Sequence, residues 1–185
     1  MKRCGWVSSD DLYIKYHDEE WAKPVFDDTI LFEFLLLESF QAGLSWITIL
    51  KKRDNFRQAF DSFDYKKISK YNQEKVEELL LNEGIIRHRG KIEAAINNAN
   101  LFQYIQIEFG SFYNYLWAFV NQTPVLNAFE TLKDVPPKTE LSDQIAKDLK
   151  KRGFKFMGST TVYAFMQAVG LVNDHVSDCF FFKKE

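Results

Sequence analysis

Cysteine is scarce in this 185-residue chain: there are two, Cys4 and Cys179, near opposite ends. That excludes a disulfide-stapled scaffold. No apolar stretch reaches membrane-spanning length before Glu, Gln or Lys interrupts it, and Met1-Lys2-Arg3 does not lead into the apolar run of a secretory signal. The expectation is a cytoplasmic protein with no membrane partner. Proline is rare as well, and three of the four (Pro124, Pro136, Pro137) fall between Asn121 and Leu141, which marks a surface connection. The chain also lacks the basic excess common in nucleic-acid binders, since its formal net charge is −2. It has no internal repeat, no low-complexity segment and no sign of an oligomer, so a monomer is expected.

Hydrophobic residues make up 46% of the chain, and Phe alone contributes 18 residues. Large apolar side chains stabilise most when buried, so a Phe-packed interior is expected. This length suits one compact unit over 1–185, with room for two helical lobes and a pocket between them. The neutral total hides local basic stretches: Lys51-Lys52-Arg53, Arg87-His88-Arg89-Gly90-Lys91, and 147–155, where Lys147, Lys150, Lys151, Arg152 and Lys155 meet only Asp148. Each reads either as a solvated helix face or as a phosphate-facing surface.

Helical signals dominate and no segment alternates with period two for long, so the fold class is all-α. Asp28 or Thr29 is placed to cap a helix from Ile30 to about Phe40, and Gln41-Ala42-Gly43-Leu44 breaks it. Ser45 opens a helix from Trp46 to Lys52. Asn72 opens one that stops at Gly84, another spans about Gly90–Ile107, and Ser111 starts one through Val120. A short helix is expected around Val125–Glu130. Ser142 caps a helix ending at Gly153, and Ser159 opens the last long helix, ending at Gly170.

Three groups of residues carry chemistry. His175 and Cys179 share one face if their segment is helical, and Cys4 and His17 complete a Cys2His2 set, a closed tetrahedral zinc site of structural type. The alternative is plain thiols and ordinary polar histidines. The segment 150–161 joins two helices through Gly153 and Gly158. It reads as a helix-hairpin-helix whose second helix offers free amides to a phosphate at Ser159 and Thr160, with Arg152 and Lys155 as counter-charge, or as a plain αα-hairpin. Finally, Tyr13, Tyr16 and Trp21 crowd an N-terminal loop around His17, while Glu38 and Trp46 flank the Gly43 break. Glu38 lies either on an exposed stripe of its helix or in an aromatic pocket. Such a pocket suits a planar cation, because ring faces attract positive charge and the carboxylate accepts its N–H groups. An alkylated purine base is such a ligand.

The segments Arg3-Cys4-Gly5-Trp6, Tyr16-His17-Asp18-Glu19-Glu20-Trp21, Gln41-Ala42-Gly43-Leu44-Ser45-Trp46, Gly84 to Lys91, Arg152-Gly153-Phe154-Lys155-Phe156 and Gly170-Leu171-Val172-Asn173-Asp174-His175 together resemble the bacterial 3-methyladenine DNA glycosylase I family, known as Tag. The resemblance covers nearly the whole chain. It implies a helix-hairpin-helix fold and zinc on Cys4, His17, His175 and Cys179. It implies a 3-methyladenine pocket in which Glu38 hydrogen-bonds the base while Tyr16 and Trp46 enclose it, with Tyr13 and Trp21 alongside. Gly43 and Leu44 would meet the gap left in duplex DNA by the flipped nucleotide. Asp174 follows the hairpin helix, where the wider superfamily keeps a catalytic Asp. Lyase members of that superfamily carry a Lys just after the second hairpin glycine. Here Ser159-Thr160-Thr161 stands there, which implies a monofunctional enzyme without a Schiff base. Ala22 in place of a usual Gly, Phe40 in place of a more polar residue and the Phe180-Phe181-Phe182 tail depart from the pattern.

The expected function is therefore hydrolysis of the N-glycosidic bond of 3-methyladenine in alkylated double-stranded DNA, releasing the free base. The alternative is a zinc-stapled DNA-binding module without catalysis. A zinc hydrolase would need an open ligand position, which a four-residue set does not leave.

Overall fold

The computed structural model describes residues 1–182. It is mostly helical. In chain order the elements are α1 (Asp11–Glu19), α2 (Asp28–Gln41), α3 (Trp46–Ala59), α4 (Tyr65–Ile68), α5 (Gln73–Leu81), α6 (Arg89–Phe109), α7 (Phe112–Ala118), β1 (Val125–Leu126), α8 (Glu140–Arg152), α9 (Ser159–Ala168) and β2 (Val172–Asn173). No helix among the described residues is long and apolar enough to cross a membrane.

The centre is α2. From Leu31 to Phe40 every residue is buried, because the helix is apolar on nearly all sides and must be surrounded. It packs against α3, α6, α7 and α9. Phe32 meets Phe102 of α6 with ring centroids 5.2 Å apart, and Phe102 stacks on Phe112 of α7 at 4.2 Å. Most phenylalanines are core, as their number led one to expect.

Several local expectations are corrected. The cap of α2 is Asp27, whose carboxylate accepts from the amides of Thr29 and Ile30. Asp28 turns instead to α7, where its oxygens accept from the amides of Phe112 and Tyr113 at 2.9 Å each. A carboxylate at a helix N-terminus is stabilising whichever element supplies it, so Asp28 joins two elements distant in sequence. The cap of α8 is Thr139, and Ser142 is its partner in a reciprocal capping box. Helix α3 runs on to Ala59, past Lys52, and α5 stops at Leu81, short of Gly84. Val125–Glu130 is no helix: β1 pairs in parallel with β2, Val125 opposite Val172 and Leu126 opposite Asn173. The region of Tyr13, Tyr16 and His17, expected as a loop, is the helix α1, capped by Asp10.

Two glycines have positions that need them. Gly43 has φ +81° and follows Ala42 at φ −48°, ψ 118°, with Leu44 N–H donating to Gln41 O at 2.7 Å. This is a type II turn, whose third residue requires positive φ. Gly170, at φ +68°, lies so close to the Lys23–Pro24 backbone that any Cβ would collide with it. Beside it, Ala22 N–H donates to Gln167 O and Val25 N–H to Val169 O, which sews the segment after α1 onto the end of α9.

Candidate active site

A cavity of about 370 Å³ opens where α1, the α2–α3 turn, the 132–137 loop and α9 meet. Its aromatic wall comes from Tyr13 and Tyr16 of α1, Trp21 just after it, and Trp46 at the start of α3. Tyr16 and Trp46 face one another with centroids 5.4 Å apart. The five residues expected to enclose a base, Glu38 included, are thus brought together. Trp6, which sequence reasoning passed over, belongs with them: its ring meets Tyr13 at 5.4 Å and Trp21 at 5.1 Å. Its place two residues after Cys4 was the available signal.

Glu38 is 3% exposed at the end of α2. It lies on no exposed stripe, since α2 is buried around its whole circumference over that stretch. Among the described residues its Oε2 has no hydrogen-bond partner, and neither has the buried indole Nε1 of Trp46. Burial alone pushes the Glu38 carboxyl up to about 8. Tyr16 is driven up too, first by burial and then by the neighbouring Glu38. Unpaired buried polar atoms cost free energy, so their presence on a cavity wall points to a polar, planar ligand that completes them.

Phe40 points away from the cavity into the core, packing on Phe56 at 4.9 Å and Phe60 at 5.8 Å. Its departure from the family pattern therefore leaves the rim untouched. Ala22 adopts φ +59°, a left-handed conformation that glycine enters without strain.

Asp174, 1% exposed, is a second carboxylate in the cavity lining. Tyr163 and Gln167 of α9 donate to its Oδ2, and Asn127 donates to Oδ1 at 2.7 Å. The β1–β2 pairing delivers Asn127 to this position. Its amide N–H donates to Asn173 O at 3.0 Å, continuing the ladder of the two short strands. Sequence reasoning missed Asn127, Tyr163 and Gln167, whose roles depend on that long-range pairing.

Beside the aromatic wall, Cys4, His17, His175 and Cys179 bring one ligand atom each within 4.8 Å of one another, all buried. His175 Nδ1 lies 3.5 Å from Cys4 Sγ and 3.4 Å from Cys179 Sγ, and His17 Nε2 lies 3.5 Å from Cys179 Sγ. Tetrahedral coordination with ordinary N and S bond lengths sets such pairs about 3.5 Å apart. The four residues thus fit a metal ion. They do so without the helical face expected for His175 and Cys179, whose segment is a turn closed by Cys179 N–H on Val176 O.

The outer shell is built for the same purpose. Asp18 accepts from His17 Nδ1 at 2.8 Å, which turns Nε2 toward the cluster, and Arg3 clamps Asp18 through two nitrogens. The Arg3 guanidinium holds the Asp18 carboxyl down at about 2, while burial lowers His17 and favours its neutral ring. Phe181 covers the cluster, 5.7 Å from His17 and 5.6 Å from His175. Trp21 stacks on His17 at 5.9 Å and meets His175 edge-on at 4.7 Å, so the Cys2His2 cluster and the aromatic cavity share a wall.

The remaining candidates sit at the cavity mouth and beyond it. Gly43 and Leu44 are exposed at the tip of the α2–α3 turn. The α8–α9 hairpin closes with Gly153 N–H on Lys150 O and Phe154 N–H on Leu149 O. Gly158 begins α9 with no side chain capping its amides, and Thr160, exposed, reaches the cavity lining. Ser159 is half-buried, its Oγ 2.8 Å from Ser142 Oγ. Lys155 is exposed, whereas the Arg152 guanidinium is engaged by Asp148 at 2.7 Å and Glu108 at 2.6 Å.

The sequence profile of the methyladenine glycosylase family matches residues 6–183. The chain is 52% identical over 179 residues to DNA-3-methyladenine glycosylase 1 of Escherichia coli (strain K12), covering 97% of this chain and 96% of that protein. A crystal structure of 3-methyladenine DNA glycosylase I superposes with a TM-score of 0.96 at 52% identity, over 98% of this chain and all of that one (100%). A second, of a tyrosine-to-phenylalanine variant of such a glycosylase in complex with 3-methyladenine, superposes with a TM-score of 0.95 at 38% identity, over 100% of this chain and 99% of that one. Matched over nearly its whole length by the family profile and by a relative of 52% identity, the chain belongs to the methyladenine glycosylase family.

Proposed function

We propose that the protein is a monofunctional DNA glycosylase that excises 3-methyladenine from alkylated double-stranded DNA. The observation that carries this reading is the Glu38 carboxyl, buried beside an unpaired Trp46 indole N–H in a cavity walled by Tyr16, Trp21 and Trp46. Names and bound base of the relatives agree with it.

A base inside a duplex is out of reach, so the nucleotide must be flipped into the cavity. The hairpin supplies a helix-hairpin-helix anchor: the uncapped amides at Gly158, Ser159 and Thr160 donate to a phosphate, and Lys155 adds counter-charge. Leu44, carried on the Gly43 turn, fills the vacated gap. The flipped base enters between Tyr16 and Trp46, and its N–H groups meet Glu38. N3-methylation leaves the adenine cationic, so aromatic faces select it over neutral bases, and its positive charge favours the ionised form of Glu38 that accepts its N–H groups.

The reaction breaks the bond from C1′ of the sugar to the base. The electron pair goes to the base, which departs neutral and so requires no general acid. Water adds to C1′ and loses a proton. Asp174, the second carboxylate in the cavity lining, stabilises the oxocarbenium-like sugar in this reading. No lysine lines the cavity among the described residues, which supports hydrolysis without a Schiff base.

Cys4, His17, His175 and Cys179 would hold one zinc ion. With four protein ligands it supplies structure rather than chemistry, joining the chain's two ends and backing the Trp21 wall.

The test is base release from N-methylated duplex DNA, followed by chromatography, with the metal content of the same preparation. Free 3-methyladenine without strand cleavage is the expected result. Folded, metal-loaded protein that binds duplex DNA and releases no base would overturn the reading.

A further inference from the structure

Lys91, at the start of α6, is buried to 6% exposure, and its Nζ donates to Phe40 O at 2.9 Å and Ala42 O at 2.7 Å. These are the last carbonyls of α2, where the helix leaves acceptors unfilled and its dipole favours a cation. The α2–α3 turn is otherwise closed on itself: Leu44 N–H bonds Gln41 O, and the Gln41 amide bonds Leu44 O at 2.7 Å. A Cβ added at Gly43 would meet nothing within 4 Å, so the space beside the tip of the turn is open. Lys91 thus ties the base of this turn to α6.

Two helical turns along α6, Asn98 does the same for the α8–α9 hairpin. Its side chain, 1% exposed, accepts from Lys155 N–H and donates to Lys155 O, both at 2.9 Å. Its neighbour Asn97 donates to Gly153 O at 3.0 Å. A side-chain amide bonded on both edges to one residue's backbone fixes that residue like a strand partner. One helix therefore grips both elements to which the proposed function assigns the DNA.

We propose that Lys91 and Asn98 are positioning residues, and that α6 is a rigid spacer holding the gap-filling turn and the phosphate-binding hairpin at the separation a flipped nucleotide requires. The proposal rests on the reading that Leu44 enters the gap. Neither side chain lines the cavity. Their effect should therefore fall on duplex DNA and spare the free base.

Lys91→Gln, Asn98→Ala, Leu44→Ala and the double variant Leu44→Ala/Lys91→Gln test it. Each is compared with wild type for single-turnover excision from N-methylated duplex DNA, for affinity toward free 3-methyladenine, and for thermal unfolding. Lys91→Gln should lower the maximal duplex rate between about ten- and a hundredfold, the penalty of a misplaced reacting geometry, with free-base affinity within about twofold of wild type. Added to Leu44→Ala, it should cost less than about twofold more, because both changes act through one turn. Asn98→Ala should raise the enzyme concentration for half-maximal excision and leave the maximal rate nearly unchanged.

Lys91→Arg, which keeps the charge and two donors, should recover most of the duplex rate. If Lys91→Gln does not fold, Lys91→Arg carries the comparison, with a smaller loss confined to duplex DNA. Equal losses of free-base affinity and duplex rate, or an unchanged duplex rate in Lys91→Gln, would overturn the proposal. Wild-type duplex excision by Leu44→Ala would instead remove the assignment of the turn to the gap, on which the proposal stands.

Discussion

Glu38 Oε2 and Trp46 Nε1 belong to residues on either side of the Gly43 turn, both buried and both without a hydrogen-bond partner among the described residues. One is an acceptor when ionised and the other can only donate. Two orphaned groups on one cavity wall are expensive in the free protein and are satisfied together by a flat polar ligand.

This has a consequence for stability. The Glu38 carboxyl titrates near 8 in the fold, above its ordinary value of 4.5. The folded state thus holds the proton more tightly than the unfolded chain, and stability falls as pH rises through the window between those values. Glu38→Gln should gain on wild type across that window, by an amount on the order of a few kcal/mol at pH above about 8 and near nothing below about 4.5. Denaturant unfolding of both proteins at the two ends of the range measures it. A constant difference would mean that the carboxyl ionises normally in the fold.

Glu38→Ala should abolish the preference for 3-methyladenine while leaving nonspecific binding of unmodified duplex nearly intact. A filter or fluorescence titration on duplex DNA beside the excision assay checks both halves. Equal excision by the variant would sink the pocket assignment.

Asp174→Asn keeps the size of the side chain and removes its charge from the cavity lining. A loss of roughly 10²–10³-fold in single-turnover excision is expected, the scale of losing one preorganised electrostatic group, with free-base affinity retained. Excision at the wild-type rate would leave Asp174 as a structural partner of Tyr163, Gln167 and Asn127.

Removing the metal should loosen both the termini and the base cavity, because His17 and His175 carry Trp21. Cys179→Ser, or prolonged chelation, should release the ion and lower Tm by ~10 °C or more, since binding of a structural zinc is folding free energy. Affinity for free 3-methyladenine should fall with it. Metal analysis and a melting curve on one sample read both effects, and an unchanged Tm in metal-free protein would contradict them.

Ala22 and Gly170 make opposite predictions. Ala22 sits at φ +59°, so Ala22→Gly should stabilise by up to about 1 kcal/mol. Gly170→Ala drives a methyl group into the Lys23–Pro24 backbone and should destabilise by more than about 3 kcal/mol, with overpacking and the left-handed φ acting together. Thermal melts of the two variants decide.

Much of this protein could be read along the chain. Asn72 and Ser111 cap their helices as expected, because capping is a contact between residues three apart. The helix from Ile30 to about Phe40 and the break at Gln41-Ala42-Gly43-Leu44 were legible, whereas burial of the helix on every side and the positive φ of Gly43 came from the fold. Scarcity helped as well: with two cysteines and three histidines, few metal sets were available. Where a signal was ambiguous locally, it was misread. Thr139 and Ser142 are both cap formers, and only the folded chain shows which begins α8 and which answers it. Asp28 left its own helix because the amides of α7 lay within reach. The parallel pairing of Val125–Leu126 with Val172–Asn173, and with it the Asn127 bond to Asp174, joins residues nearly fifty positions apart. Lys91 and Asn98 look like ordinary polar residues of a long helix until the carbonyls they serve are brought beside them. Composition and spacing thus decided which side chains were available for chemistry. Whether Glu38 stays unpaired, and which backbone each buried polar group must satisfy, was decided by tertiary structure, because burial and hydrogen bonding depend on neighbours that sequence distance does not reveal.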